Sequence, residues 1–279
     1  MHVPYQIDRL ALTDREALTL HRARARHRGP ADFLHRIAIA EVQDRLTEVN
    51  RRFTKIAVVT GHPELWAEVF PDAVILPDRP VLDLPLQFFD LVIHAMSLHW
   101  ADDPVGQIIQ CARALRPDGL FMGIMLGNQT LAEARQALAE AETDVTGGLS
   151  PRVLPMSETR DLGNLLARAG LALPVADLIS LSASYRDLIH LAHDLRAMGE
   201  TNAMAARLRR LTRREVFGRA AAIYADRFPD RDDPSRIRAT FDLVFLTGWA
   251  PAENQQKPLR PGSAQMALAD ALKQTRDAP

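Results

Sequence analysis

Residues 89–121 read FDLVIHAMSLHWADDPVGQIIQCARALRPDGLF, and this stretch decides the fold class. Asp90 to Leu98 is mostly apolar on both faces, a run that suits a parallel strand covered from both sides. Pro104 stands where a first helical turn tolerates proline. From there to residue 116, Ile108, Ile109, Ala112 and Leu115 keep to one helical face. Pro117-Asp118-Gly119 carries turn chemistry, and Leu120 to Leu126 is apolar again. Strand, helix and strand in succession make the unit that joins parallel neighbours in a sheet.

The same alternation extends outward. Upstream, 31–51 carries Leu34, Ile37, Ala38, Val42, Leu46 and Val49 at helical spacing. KIAVVT (55–60) reads as a buried strand ending at Gly61, 63–70 as a short helix opened by Pro63, and 73–76 as a short strand. Downstream, helices are expected over 130–143, 159–169, 185–198 and 212–227, with strands over 178–184 and 240–248. Gly170 stops the second of those helices. The chain is read as one α/β domain with a doubly wound, mainly parallel sheet: N-terminal helices over 1–52, a core sheet over 53–184, a helical cover over 185–230, a final strand over 231–250, and a polar surface tail over 251–279 with a short helix near 264–273. Ligands of such sheets bind beyond the carboxyl ends of the strands, which selects Thr60 to His62, Pro77-Asp78 and Ser97 to Asp103.

Composition narrows the function classes. The 279 residues hold 34 Lys and Arg against 35 Asp and Glu, a net charge of −1. That balance gives no pull toward nucleic acid. The single cysteine, Cys111, excludes an intrachain disulfide framework and any cysteine-rich metal site. No apolar run approaches the ~20 residues of a membrane helix. The first residues lack a signal peptide's apolar stretch, so a cytoplasmic protein without membrane insertion is the expectation. Two basic clusters stand out: His21 to Arg28 (HRARARHR), and Arg207 to Arg219. Both read as solvated helix faces, and either can receive an acidic partner.

The order of these motifs resembles the class I S-adenosylmethionine-dependent methyltransferases, in which an FDLV strand leads to a helix, an LRPDG-like turn and the next strand. LHWADD (98–103) with RALRPDG (113–119) is similar to a narrower branch. That branch holds the malonyl-[acyl carrier protein] methyltransferase of biotin synthesis and the mitochondrial complex I assembly factor that hydroxylates an arginine. GGLSPRVLPMSETRDLGNLLARAG (147–170), DLRAMGETNA (194–203), TGWAP (247–251) and QQKPLRPGSA (255–264) resemble the assembly-factor side. The resemblance implies a Rossmann-like fold, S-adenosylmethionine as cofactor, and a protein partner such as a respiratory-complex subunit or a carrier protein.

The departures are equally specific. The family's glycine-rich first loop lets the backbone approach the cofactor without a Cβ in the way. Here that loop is TGHPE, in which Gly61 remains while His62 and Pro63 replace the other flexible positions. Asp78 is the candidate for the acidic residue that binds ribose hydroxyls. The chain then passes through RPVLDLPLQ (79–87) straight to the FDLV strand, so one helix–strand unit of the family is expected to be missing. The cofactor site is therefore degenerate, with Gly61, His62 and Asp78 as its remaining candidates.

Catalytic candidates are His99, a possible base near neutral pH, and Trp100, a stacking surface for a planar group. Substrate- or partner-binding candidates are Asp102, Tyr185, Glu200, Asn202 and Trp249; packing is the competing reading for the aromatics and helix capping for the acid. His94 reads as a core histidine and Cys111 as a small buried apolar residue. His190 and His193 have i, i+3 spacing but no partner ligand assigned by any motif, so no metal is expected. Three classes of function stay open: an enzyme acting on a protein side chain or carrier-bound acid, a non-catalytic assembly or chaperone-like protein, and a binding module for another small molecule. A filled cofactor cleft with apolar surface exposed near the C-terminal helices favours the second.

Overall fold

The computed structural model describes residues 11–49, 51–253 and 255. The expected tail helix near 264–273 and most of QQKPLRPGSA lie outside the described residues. Six strands form one sheet: β1 (Ile56–Thr60), β2 (Val74–Leu76), β3 (Phe89–Ala95), β4 (Leu115–Gly127), β5 (Ala172–Tyr185) and β6 (Ile237–Trp249), in the order β2-β1-β3-β4-β6-β5. β1 to β4 pair in parallel, and β6 runs antiparallel to both β4 and β5. The sheet is mainly parallel, as the apolar runs predict. Residues 77–88 pass from β2 to β3 without helix or strand, where the missing unit was expected.

Helices α1 (Arg15–Arg28), α2 (Phe33–Glu48), α3 (Pro63–Val69), α4 (Pro104–Ala114), α5 (Ala132–Thr146), α6 (Thr159–Arg168), α7 (Leu188–Ala197) and α8 (Arg214–Arg227) cover the sheet. Three of their starts are capped by aspartates. Asp14, Asp103 and Asp187 each accept a backbone N–H of the first turn, from Ala17, Gly106 and His190. Val58, Leu91, Ile93, Met122, Ile124, Leu243 and Phe245 face one apolar layer, against α2, α5 and α8. Ala57, Val59, Val92, Phe121, Val244 and Leu246 face the other, against α4 and α6. Side chains alternating between two buried layers explain the continuous apolar runs of the central strands.

Several expectations changed in detail: the helix expected over 185–198 begins at Leu188 because Tyr185 ends β5, and the strand expected over 240–248 begins at Ile237. Pro117-Asp118-Gly119 does not separate helix from strand as a free turn. It is a kink inside β4, with Asp118 left-handed at φ +62° and a register shift in the pairing with β3 between Phe89 and Leu91. β5 starts six residues earlier than the 178–184 pattern suggests, since 178 and 172 differ by six. Pro174 masks its beginning, and an edge strand tolerates proline because one side of its ladder is unpaired.

Candidate functional site

The carboxyl ends of β1, β3 and β4 carry the residues singled out in the sequence, and they fall into two neighbouring regions. The first lies beyond β1 and β2. Arg22 projects there from α1 and is only 5% exposed. Its Nη1 donates to both oxygens of Asp78, at 2.8 and 3.0 Å. Arg15 adds a bond to the Asp78 carbonyl at 3.0 Å and a longer contact to its carboxylate. The guanidinium lies against the backbone of Gly61, where a Cβ would come within 2.2 Å of Nη1 and 2.3 Å of Cζ. Its stem passes Gly199, where a Cβ would meet Cγ at 3.0 Å. The basic cluster over 21–28 is thus not uniformly solvated: Leu18, Arg22 and Ala25 share the buried stripe of α1.

His62 closes the same end. Its ring lies 4.3 Å from that of His35, whose Nδ1 accepts the Trp66 indole N–H at 3.2 Å. Burial and then the nearby Arg22 hold the His62 imidazole down at about 4. His35 is likewise pushed well below the usual histidine range by burial and by His62. Both rings are therefore neutral near pH 7.

The second region lies beyond β3 and β4. A single turn of 3-10 helix over Leu98–Trp100 presents His99 and Trp100 to the segment after α7. The Trp100 indole N–H donates to Glu200 Oε2 at 2.6 Å, and His99 Nε2 lies 3.1 Å from the same oxygen. The Leu126 N–H points to His99 Nδ1 at 3.4 Å, which leaves Nε2 as the nitrogen that donates to Glu200. Burial would raise the Glu200 carboxyl, but the His99 ring, the Arg22 charge and the Trp100 hydrogen bond outweigh it and hold it at about 2. Glu200 is thus a buried ionised carboxylate that fixes both ring systems.

These three side chains form one wall of a cavity of about 250 Å³ between α5, α7, α8 and the 152–156 segment. The rest of the lining is largely apolar and includes Leu131, Leu188, Leu195 and Phe241. At its rim Ile189 is 47% exposed and Phe217 38% exposed. Arg152 also lines it, with Nε and Nη2 donating to the Glu142 carboxylate at 3.0 and 2.6 Å.

The remaining candidates hold the frame. Asp102 accepts the backbone N–H groups of Leu12 and Thr13, at 3.0 and 2.9 Å, and so ties the start of α1 to the end of β3. Asn202 donates to the Pro151 carbonyl and accepts from the Met204 N–H, joining two loops at the cavity's edge. The Tyr185 hydroxyl donates to Asp194 at 2.8 Å behind α7. Trp249 pairs in register with Leu120, at the opposite end of the sheet from His99. His94 is buried and bonded to Gln107 at 2.6 Å, and Cys111 is buried, its thiol pushed up to about 12. Among the described residues no group of three or more His, Cys, Asp or Glu could hold a metal.

S-adenosylmethionine, the group implied by the resemblance, would need the Gly61 backbone and the Asp78 carboxylate. Both are taken by Arg22: a cation lies where the backbone approach should be open, and it uses the oxygens that would receive ribose hydroxyls. With Arg22 in this place the residues leave the group no room. Sequence reading identified Gly61 and Asp78 but missed Arg22. Its signal was the i, i+4, i+7 placement with Leu18 and Ala25, which puts it on the buried face.

Comparison with known proteins bears on the class and then on particular relatives. Residues 67–123 match the methyltransferase domain family, the segment from α3 through β3 and α4 into β4. The chain is homologous to two groups of proteins. It is 36% identical over 203 residues to the mitochondrial arginine hydroxylase NDUFAF5 of Danio rerio, covering 73% of this chain and 62% of the relative. With the same protein of Dictyostelium discoideum it shares 40% over 184 residues, covering 66% and 42%. With a malonyl-[acyl-carrier protein] O-methyltransferase of Laribacter hongkongensis it shares 34% over 190 residues, covering 68% and 61%. The chain thus spans between 42% and 62% of the length of these relatives. Among solved structures, the YcgJ protein of Bacillus subtilis aligns with a TM-score of 0.49 at 11% identity, covering 78% of this chain and 100% of that one.

Proposed function

We propose that this methyltransferase-like chain holds a protein partner, in the manner of an assembly or chaperone-like factor, and transfers no methyl group from S-adenosylmethionine. The partner would be a respiratory-complex subunit or a carrier protein, the two kinds suggested by its homologues. The observation that carries the reading is the contrast at the strand ends. The cofactor groove is filled from within by Arg22, while the neighbouring cavity has an apolar lining and the exposed rim residues Ile189 and Phe217. An apolar cavity with exposed apolar residues at its mouth is the kind of surface that partner segments cover. Leu149, within the GGLSPRV segment, adds to the exposed apolar surface.

The test is affinity capture from cells of the source organism with the whole chain and with Ile189→Glu plus Phe217→Glu. The reading expects a respiratory subunit or carrier protein that is retained by the natural chain and lost with the variant. Equal recovery of the same proteins on both would contradict it. A second reading, enzymatic work on a side chain inserted into the cavity, is favoured by one observation, the ionised Glu200 that orients His99. It predicts a mass change in the captured partner, absent when His99→Ala is used.

A further inference from the structure

Three residues from distant parts of the chain meet the Arg22 side chain. Arg22 comes from α1, Gly61 follows β1, Asp78 follows β2, and Gly199 follows α7. Each glycine stands where a side chain would intrude on Arg22. At Gly61 the intrusion would fall on the guanidinium, at 2.2 to 2.7 Å from three of its atoms. At Gly199 it would fall on the stem, at 3.0 Å from Cγ and 3.1 Å from Cα. Gly199 is also left-handed at φ +79°, a conformation that side-chain-bearing residues seldom adopt. Asp78 supplies the opposite charge through both oxygens. The Gly61 floor and the Asp78 carboxylate make a socket for the cationic head, and Gly199 leaves room for the stem that carries it.

We infer that the groove at the ends of β1 and β2 is a self-ligated cation socket: the chain's own Arg22 is its ligand, and the socket accepts a free guanidinium ion when that side chain is removed. Guanidinium is favoured over ammonium because it is the more weakly hydrated cation, and only Nη1 of the Arg22 head finds a hydrogen-bond partner in this buried place. The Arg22 Nε and Nη2 are buried without hydrogen-bond partners, so the fit rests on the Gly61 surface and Asp78 and not on a full hydrogen-bond shell. This inference shares the Arg22 placement with the partner-holding reading, but its rescue test reads the socket alone and partner capture reads the cavity alone.

The test is chemical rescue, read by thermal melting of the whole chain. Arg22→Ala leaves Asp78 with only the peripheral Arg15, and its Tm is expected to fall by roughly 5–10 °C. Guanidinium chloride at low millimolar concentration, below the denaturing range, should restore at least half of that loss. Ammonium or sodium chloride at equal ionic strength should not, and the natural chain should gain nothing. Should Arg22→Ala fail to fold, Arg22→Met keeps the stem against Gly199 and vacates only the head, and the same rescue is expected. A second measurement uses Gly61→Ala, which should lower the Tm of the natural chain by several degrees and leave an Arg22→Ala chain almost unchanged. Equal effects of guanidinium and ammonium, or an equal cost of Gly61→Ala in both backgrounds, would overturn the inference.

Discussion

Two regions on the same edge of one sheet solve the same physical problem in opposite ways. Each has buried charge at the carboxyl ends of parallel strands. Beyond β1 and β2, Asp78 meets Arg22 from another helix, the pair fills its space, and His62 and His35 close over the end as neutral rings. Beyond β3 and β4, Glu200 is hydrogen-bonded by the His99 and Trp100 rings with the Arg22 charge nearby, and a cavity remains beside them. A salt bridge completes a surface, whereas a carboxylate clamped by rings leaves a wall that something else can touch. Within one fold, Arg22 fills the space beyond β1 and β2 while the space beyond β3 and β4 stays open.

The largest expected effect separates the two regions directly. Glu200→Ala removes the acceptor of two buried donors and leaves Arg22 with one carboxylate fewer nearby. It should cost about 3 kcal/mol in chemical denaturation. Trp100→Phe, which removes one of those donors, should cost about 1 kcal/mol. If both cost the same small amount, Glu200 does not organise the cavity wall.

Acidification is next. The Glu200 carboxyl, ordinarily at 4.5, is held at about 2 in the folded chain, so its stabilisation is complete above 4.5 and is lost as the pH falls toward 2. His62 is held at about 4 against an ordinary 6.5. The unfolded chain therefore takes up that proton first, and stability declines as the pH falls from 6.5 to 4. His35 acts in the same sense. The chain should lose stability in two overlapping windows. His62→Gln should flatten the upper one and leave the lower one in place, as measured by unfolding free energy against pH. An unchanged upper slope would show that His62 is not the buried neutral ring described above.

A smaller effect concerns the tether between the regions. Asp102→Ala removes the acceptor of the Leu12 and Thr13 N–H groups and should cost about 1 kcal/mol. It should also speed proteolysis near residue 12 while leaving the rest of the chain resistant. The smallest belongs to Trp249, at the far end of the sheet. Trp249→Phe should leave partner capture unchanged and alter stability by under ~1 kcal/mol. A loss of capture would mean that the far end also takes part.

The sequence carried the fold through its periodicities. Apolar runs such as KIAVVT and DLVIHAM, with Pro104 and Asp103 marking a helix start, are local signals, and they appear in place as β1, β3 and α4. The kink at Asp118 and the early start of β5 at Ala172 were less legible, since both depend on a partner strand's register. The site divided along the same line. Gly61, Asp78, His99, Trp100 and Glu200 could be named from motifs. That Arg22 would lie on Gly61, 39 positions away by subtraction, is a property of packing between α1 and β1. A basic cluster hides one buried arginine among solvated ones, and only its helical phase with Leu18 and Ala25 tells it apart. Asp102 and Asn202 likewise look the same in sequence whether they bind backbone or a ligand.

The central claim is that Arg22 has closed the cofactor groove. Isothermal titration of S-adenosylmethionine, with S-adenosylhomocysteine alongside, into the natural chain tests it most directly. No saturable heat at millimolar ligand is the predicted result. Stoichiometric binding at micromolar affinity would contradict it, because the ligand could then displace Arg22 from both Gly61 and Asp78.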